Sequence, residues 1–233
     1  MKAVIIVGGS GTRLRPITYE IPKPLIPVRK KPIVNHLIEF LAKHGATEIA
    51  LLASRGHEAD FSRWKKAWAD ELPVQDVRMF YEETPRGTFG GFELMRDWLG
   101  TEPFIAMNGD DLREMDMDAM MALHKREGAH ATIALIECDD ARTKGVPIME
   151  GNRIVQFLEK PENPPSNFIS TGTYFLDPKI LAHADFGQPQ VSIERDIFPK
   201  LAAAGTLYGH KIMKGRWYDC NDIAGWERAI KEW

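Results

Sequence analysis

Cysteine is scarce in this chain. Only Cys138 and Cys220 occur among 233 residues, and neither has a second Cys or a His at metal-ligand spacing. That excludes a disulfide framework and a structural zinc site and leaves two reduced thiols. An excess of basic charge is also missing: 30 Lys and Arg stand against 33 Asp and Glu, a formal net charge of -3, with both signs spread along the sequence. No basic stripe announces nucleic acid and no Lys/Arg block announces an anionic membrane, so a small-molecule partner fits better. Long hydrophobic runs are absent too. The first, AVIIV, follows one lysine and stops at glycine after five residues, too short for a secretory h-region or a membrane span, and the expected compartment is the cytoplasm. The seven histidines are scattered, so no constellation for activating a nucleophile is visible.

What is present is enough apolar residue, 44% of the chain, for one sizeable core, and a single domain over 1–233 is expected. Its first part, 1–137, alternates short apolar runs with longer amphipathic ones. AVIIV, EIALLA, VRMFY, PFIAMNGD and ATIALIE read as strands; PIVNHLIEFLAKHG, His57 to Glu71, FELMRDWLG and MDAMMALHKREG read as helices. That is the pattern of a parallel sheet flanked by helices. Trp64 and Trp68 fall on one helix face and read as core packing, as do the methionines at 115, 117, 120 and 121. From 138 to 233, shorter segments such as VPIME, RIVQFLE, NFISTGTYFL and LYGHKIM alternate with turn signals. This half reads as mixed, partly antiparallel, and as the acceptor side of the same site.

Directly behind AVIIV stands GGSGTRLRP, Gly8 to Pro16. Consecutive small residues after a strand free backbone N–H groups to point at an anion, because no Cβ blocks close approach. The spelling is not a Walker loop, since Gly11 is followed by Thr12-Arg13, nor a dinucleotide fingerprint, since Leu14 stands where a third glycine is needed. A solvated turn remains open at this point. Further on, Pro22 and Pro24 flank Lys23 and predict an extended, preset backbone. PFIAMNGDD ends a strand with Asp110 and its rival Asp111, where ligands of open α/β sheets gather. VQFLEKP ends another with Glu159 and Lys160, which on a regular strand point to opposite faces. Both reach one ligand only if the strand bends where Pro161 ends it; a surface pair is the plain alternative.

GGSGTRLRPIT followed by IPKPLIPV resembles the N-terminal signature of the sugar-nucleotide pyrophosphorylases, which join a nucleoside triphosphate to a sugar 1-phosphate. The resemblance runs from Met1 to about Trp226. It implies a Rossmann-like nucleotidyltransferase fold of the GT-A type: α/β, with a mixed, mostly parallel central sheet flanked by helices and a small antiparallel acceptor-side subdomain. It implies that Gly8, Gly9, Gly11 and Thr12 wrap the triphosphate, that Arg13 neutralises the departing pyrophosphate and that Lys23 contacts the phosphates. Asp110 falls on the family's metal aspartate and Asp219 on the second one, so Mg²⁺ is the expected cofactor. After Asp219 this chain departs from the family: Cys220-Asn221-Asp222 replaces Ile-Gly-Thr, and Asp222 is either the cap of a last helix or a sharer of the metal. Glu159 is implied to bind sugar hydroxyls and Lys160 the sugar phosphate, with Thr171, Gly172, Tyr174 and Gly145 around the sugar. Lys144 replaces the usual aromatic before Gly145. Base and ribose fall to YEETPRGTFGG, with Glu83, Gly87 and Thr88 as the nucleotide contacts.

That last spelling, with VSIERDIFPKLAAAG, resembles the guanylyltransferase branch acting on mannose or manno-heptose 1-phosphate, whereas KPENPPSNFISTGTYFLD is spelled as in thymidylyl, glucose-type enzymes. The resemblance therefore favours GTP and a manno-configured sugar. The expected chemistry is one in-line attack on the α-phosphorus, with Arg13, Lys23 and Asp110 as the catalytic groups and no covalent intermediate. A thymidylyl or uridylyl transferase and a silent regulatory relative are the alternatives; the presence of Arg13, Lys23, Asp110 and Asp219 favours catalysis over silence. No room for an appended C-terminal β-helix is expected. Oligomeric state leaves no readable mark, and a homo-oligomer stays open.

Overall fold

The computed structural model describes residues 1–233. Its strands are β1 (Lys2–Ile6), β2 (Pro27–Val28), β3 (Lys31–Pro32), β4 (Glu48–Ser54), β5 (Val77–Glu82), β6 (Phe104–Asn108), β7 (Asp111–Met115), β8 (Ala131–Glu137), β9 (Gly145–Glu150), β10 (Arg153–Glu159), β11 (Phe168–Leu176), β12 (Leu207–Lys211) and β13 (Gly215–Asp219). The helices are α1 (Ile33–Lys43), α2 (Glu58–Trp68), α3 (Arg96–Leu99), α4 (Asp118–Glu127), α5 (Phe198–Ala203) and α6 (Ile223–Glu232). Strands β5, β4 and β1 neighbour one another in that order, and so do β11, β8, β12, β10 and β9. The chain divides into two compact units that are discontinuous in sequence: Met1–Pro85, Met107–Met115 and Gly215–Trp233 form the first, Arg86–Ala106 and Asp116–Lys214 the second.

In the first unit β1, β4 and β5 run parallel, with Ala3 opposite Ile49 and Ile49 opposite Val77. The apolar runs of β1 and β4 have no polar alternation, as strands covered on both faces require, whereas the edge strand β5 is only partly buried. Helix α1 starts behind Pro32 and stops before Gly45, whose φ is 82°. Ile33, Val34, Leu37, Ile38 and Leu41 are fully buried, each contributing about 1.5–3 kcal/mol of burial free energy. On α2, Phe61 and Trp64 are buried and Trp68 is only half-buried; the Trp64 indole N–H donates to Asn35 Oδ1 of α1 at 2.7 Å. Helix α6 is tied down by Trp226, whose indole N–H donates to the Pro27 carbonyl at 2.9 Å.

The antiparallel pair β7 and β13 belongs to this unit and pairs residue 111 with 219 and 115 with 215. Neither strand was expected. Met115 therefore lies on a strand and Met117 just ahead of α4, while Met120 is buried on the helix as anticipated. The segment read as FELMRDWLG is also different: Gly90–Met95 is 3-10 and only Arg96–Leu99 is α. The glycine pair at its start is the poorest material for an α-helical first turn.

In the second unit β8 pairs with β11 antiparallel and with β12 parallel, and β10 pairs with β9 and β12 antiparallel. Helix α4 covers part of this layer through Met120, Leu123 and His124, and ends at Gly128 in the left-handed region, φ 58°. A π turn at Ile193–Ile197 leads into α5, capped by the Ser192 hydroxyl.

Candidate active site

The first unit gathers the phosphate and metal candidates. Behind β1 the chain leaves the sheet through Gly8 and Gly9, and a Cβ built at Gly9 would meet nothing within 4 Å, so a ligand can approach the backbone there. Gly11 has φ 58°, and a Cβ on it would lie 2.8 Å from Thr18 Cγ2. The Thr18 hydroxyl donates to the Gly11 carbonyl at 2.9 Å and fixes the loop. Thr12 and Arg13 are exposed on a 3-10 turn anchored by buried Leu14, directly after the glycines in sequence.

Lys23 is 5% exposed and begins a 3-10 turn, Lys23–Leu25, so the backbone between its prolines is not the extended one anticipated. Pro24 is accommodated within the first positions of the turn, where its fixed φ and missing N–H are tolerated. The Lys23 ammonium donates to Asp110 Oδ2 at 2.9 Å and to Asn221 Oδ1 at 2.6 Å. Asp110 reaches it because Gly109 lets the turn after β6 press on β1: a Cβ there would lie 2.6 Å from Val7 Cγ1 and 2.8 Å from the Ile6 carbonyl oxygen.

Asp111 is buried behind Asp110 and stands opposite Asp219 on the β7–β13 pair. Burial, then the charges of Asp110 and Asp219, push its carboxyl up to about 8, against the opposing pull of Arg113 and Lys23. Asn221 donates through its amide to Asp219 and, at 3.3 Å, to Asp111 Oδ1. Asp222 caps α6 by accepting from Gly225 N–H at 2.8 Å, which commits it to the helix. Gly225 itself must be glycine, since a Cβ would fall 2.0 Å from the Asp219 carbonyl oxygen. Cys220 is buried, and burial pushes its thiol up to about 12, so it is no nucleophile.

No group of three or more His, Cys, Asp or Glu side chains converges closely enough to cage a metal. Magnesium does not ask for a cage: one or two carboxylates, water and substrate phosphates complete its shell. Grouped acidic oxygens, with Asp111 raised first by burial and then by the neighbouring carboxylates, are the donor chemistry a hard divalent cation would relieve, so the residues fit Mg²⁺.

Glu83 is exposed and paired with Arg55 at 3.0 Å. The buried carboxylate at the end of β5 is its neighbour Glu82, whose Oε2 lies 3.5 Å from where a Cβ on Gly8 would stand. Nothing in the spelling of the pair separates Glu82, the last residue of β5, from Glu83 just beyond it.

The second unit gathers the sugar-side candidates. Gly145 opposes Glu159 across β9 and β10, and a Cβ on Gly145 would lie 2.4 Å from the Phe157 ring and 3.2 Å from Glu159 Oε2. Lys160 takes the left-handed conformation, φ 53°, which turns its ammonium back to Glu159 Oε1 at 3.3 Å. The strand does bend ahead of Pro161. Burial, then the charge of Glu194, raises the Glu159 carboxyl above the usual range. Thr171 and Tyr174 have interior partners: the Thr171 hydroxyl donates to the Ala134 carbonyl at 3.1 Å, and the Tyr174 ring, 1% exposed, packs edge-on against Phe198. Gly172, φ 67°, sits in the irregular register of β11 against β8.

Gly87 has φ 81°, and a Cβ on it would lie 2.5 Å from the Val191 carbonyl oxygen, so its close approach is to the protein's own backbone. Thr88 is committed as well: its hydroxyl donates to Glu194 Oε2 at 2.7 Å and accepts from Ile193 N–H at 2.9 Å.

Residues 2–231 match the nucleotidyl transferase family, and the chain belongs to it. It is 37% identical over 223 residues to the mannose-1-phosphate guanylyltransferase catalytic subunit beta of Danio rerio, covering 94% of this chain and 61% of that protein. The chain thus spans less than two thirds of the length of such relatives. Among solved structures, a Bacillus anthracis protein titled as a glucose-1-phosphate thymidylyltransferase in complex with sucrose has a TM-score of 0.89 at 25% identity, covering 99% of this chain and 94% of that one. HddC from Yersinia pseudotuberculosis, complexed with GMP-PN, has a TM-score of 0.79 at 27% identity, covering 99% of this chain and 98% of that one. No helix is long and apolar enough to cross a membrane.

Proposed function

We propose that the protein transfers a nucleotidyl group from a nucleoside triphosphate, GTP by preference, to the phosphate of a manno-configured sugar 1-phosphate, releasing pyrophosphate. The observation that carries the reading is the buried Lys23 ammonium on Asp110, 2.9 Å away, in the unit that also holds the glycine loop and Asp219. A buried cation and acidic groups beside open backbone amides are what a triphosphate requires.

An oxygen of the sugar phosphate attacks the α-phosphorus, a P–O bond forms there, and the bond to the β-phosphate oxygen breaks. The sugar phosphate is already ionised at neutral pH, so no side chain need remove a proton. The amides at Gly8, Gly9 and Gly11 bind phosphate oxygens, and Arg13 and Lys23 take up charge on the departing pyrophosphate. Asp110 and Asp219 would hold Mg²⁺, which supplies further electrostatic stabilisation when bound. On the second unit Lys160 binds the sugar phosphate and Glu159 the sugar hydroxyls. GTP and manno-sugars are favoured by the guanylyltransferase relative and by HddC with GMP-PN.

The test is pyrophosphate release with Mg²⁺, each nucleoside triphosphate in turn, and glucose, mannose and manno-heptose 1-phosphates. Turnover confined to GTP with a manno sugar is expected. Turnover confined to dTTP or UTP with glucose 1-phosphate would overturn the substrate choice, and nucleotide binding without turnover would overturn catalysis.

A further inference from the structure

Two acidic residues and a lysine meet at one amide. The Asn221 side chain accepts from Lys23 Nζ at 2.6 Å and donates to Asp219 and, at 3.3 Å, to Asp111. Its backbone N–H donates to Asp219 Oδ1 at 2.8 Å as well. Partner chemistry fixes which end of the amide is which: an ammonium can only donate, so the oxygen faces Lys23 and the nitrogen is left for the aspartates.

Asn221 stands where the Ile-Gly-Thr of the resembled family has its glycine, a residue with no side chain to make any of these bonds. Nothing in the backbone asks for the change. The non-glycine residues with positive φ are Arg29, Lys30 and Lys160, so Asn221 holds an ordinary conformation open to glycine, alanine or aspartate. Its side chain is therefore accounted for by the polar cluster it joins.

We infer that Asn221 is a positioning residue of the phosphate and metal centre, a polar link that holds Lys23 on one side and the Asp219–Asp111 pair on the other in the arrangement a divalent cation and a triphosphate meet. The inference rests on the function proposed above. It gives this chain a fixed cluster before any ligand arrives, because the amide satisfies both signs of charge at once, whereas glycine leaves Lys23 held by Asp110 alone and the facing carboxylates without that donor. Partners that orient metal ligands are typically worth about 10–100-fold in metal affinity or activity.

The experiment is a Mn²⁺ titration followed by the EPR signal of the free ion, with and without GTP, on wild type, Asn221→Gly and Asn221→Asp, alongside thermal unfolding of each. Asn221→Gly should keep the wild-type unfolding temperature within a few degrees and bind Mn²⁺ about tenfold more weakly. Asn221→Asp keeps an acceptor for Lys23 but sets another carboxylate against Asp219 and Asp111. It should bind Mn²⁺ at least as tightly as wild type while the metal-free protein unfolds at a lower temperature. Wild-type affinity in a folded Asn221→Gly would overturn the inference and leave the proposed function standing. Wild type that binds no Mn²⁺ even with GTP would overturn both. If Asn221→Gly does not fold, weaker Mn²⁺ binding in Asn221→Asp than in wild type overturns the inference, and binding at least as tight upholds it.

Discussion

Asp111 and Asp219 stand directly opposite each other on the antiparallel pair β7–β13, 108 residues apart in sequence and on one face of the ribbon. Facing acidic groups on paired strands, one of them buried, resist being charged together, and the pair is tolerated only where something compensates. Here Asn221 donates to both, and Lys23 is held close by Asp110 and Asn221. The arrangement is unfavourable as scaffolding and has the chemistry to meet a cation, which is why the proposed function gives the acidic cluster a role.

Replacing Thr88 separates two roles for its hydroxyl. Thr88→Val removes the donor to Glu194 and the acceptor for Ile193 N–H, and should cost about 1–3 kcal/mol in urea unfolding, whereas Thr88→Ser should stay near wild type. Unchanged stability in Thr88→Val with a raised KM for GTP would instead place the hydroxyl on the nucleotide.

Gly87→Ala should be worse. It forces a side chain into φ 81° and sets Cβ 2.5 Å from the Val191 carbonyl oxygen, a combined cost of roughly 2–4 kcal/mol. Urea unfolding reads it directly, and a loss under about 0.5 kcal/mol, the range of ordinary surface substitutions, would contradict the packing account.

Lys160 offers a contrast between charge and strain. Both Lys160→Ala and Lys160→Gly lose the ammonium, and both should raise the KM for sugar 1-phosphate about tenfold or more while leaving the KM for GTP unchanged. Only glycine relieves the left-handed φ of 53°, so Lys160→Gly should be more stable than Lys160→Ala by about 1 kcal/mol. Equal stabilities would mean that the bend costs nothing.

His124 predicts an acid limb of stability. It is buried on α4 with Nδ1 3.0 Å from the Thr132 hydroxyl, and burial pushes its pKa down to about 4. Its unfolded pKa is near 6.5, so between pH 6.5 and 4 the unfolded chain binds the extra proton. The stabilisation is complete above pH 6.5 and is lost as pH falls towards 4, by an amount on the order of 2–3 kcal/mol. Urea unfolding at pH 7.5 and 4.5 should show a smaller difference in His124→Gln than in wild type; equal differences would contradict the assignment.

Much of this was legible in the sequence because it is local. AVIIV, EIALLA and ATIALIE lie within β1, β4 and β8 or one residue beyond them, and the i, i+4 apolar spacing after Pro32 marked α1. The pair β7–β13 was not legible. DLREM and GRWYD are short, charged, and pair across a hundred residues, so nothing in either one announces a strand or its partner. The same holds for Asn221, whose importance comes from Lys23 and Asp111, both remote in sequence. Glu82 and Glu83 show a finer limit: Glu82 is the last residue of β5 and Glu83 lies just beyond it, so which of two identical neighbours is buried depends on where the sheet ends the strand.

The measurement that bears most directly on the central claim is the rate of nucleotide-sugar and pyrophosphate formation from GTP and mannose 1-phosphate with Mg²⁺, compared between wild type and Asp110→Asn. The account predicts equimolar products from wild type and, in the variant, a rate at least ~100-fold lower, a loss of about 3 kcal/mol of transition-state stabilisation. Thermal unfolding should show the variant still folded. A folded Asp110→Asn that matches wild type would contradict the claim that this cluster does the chemistry.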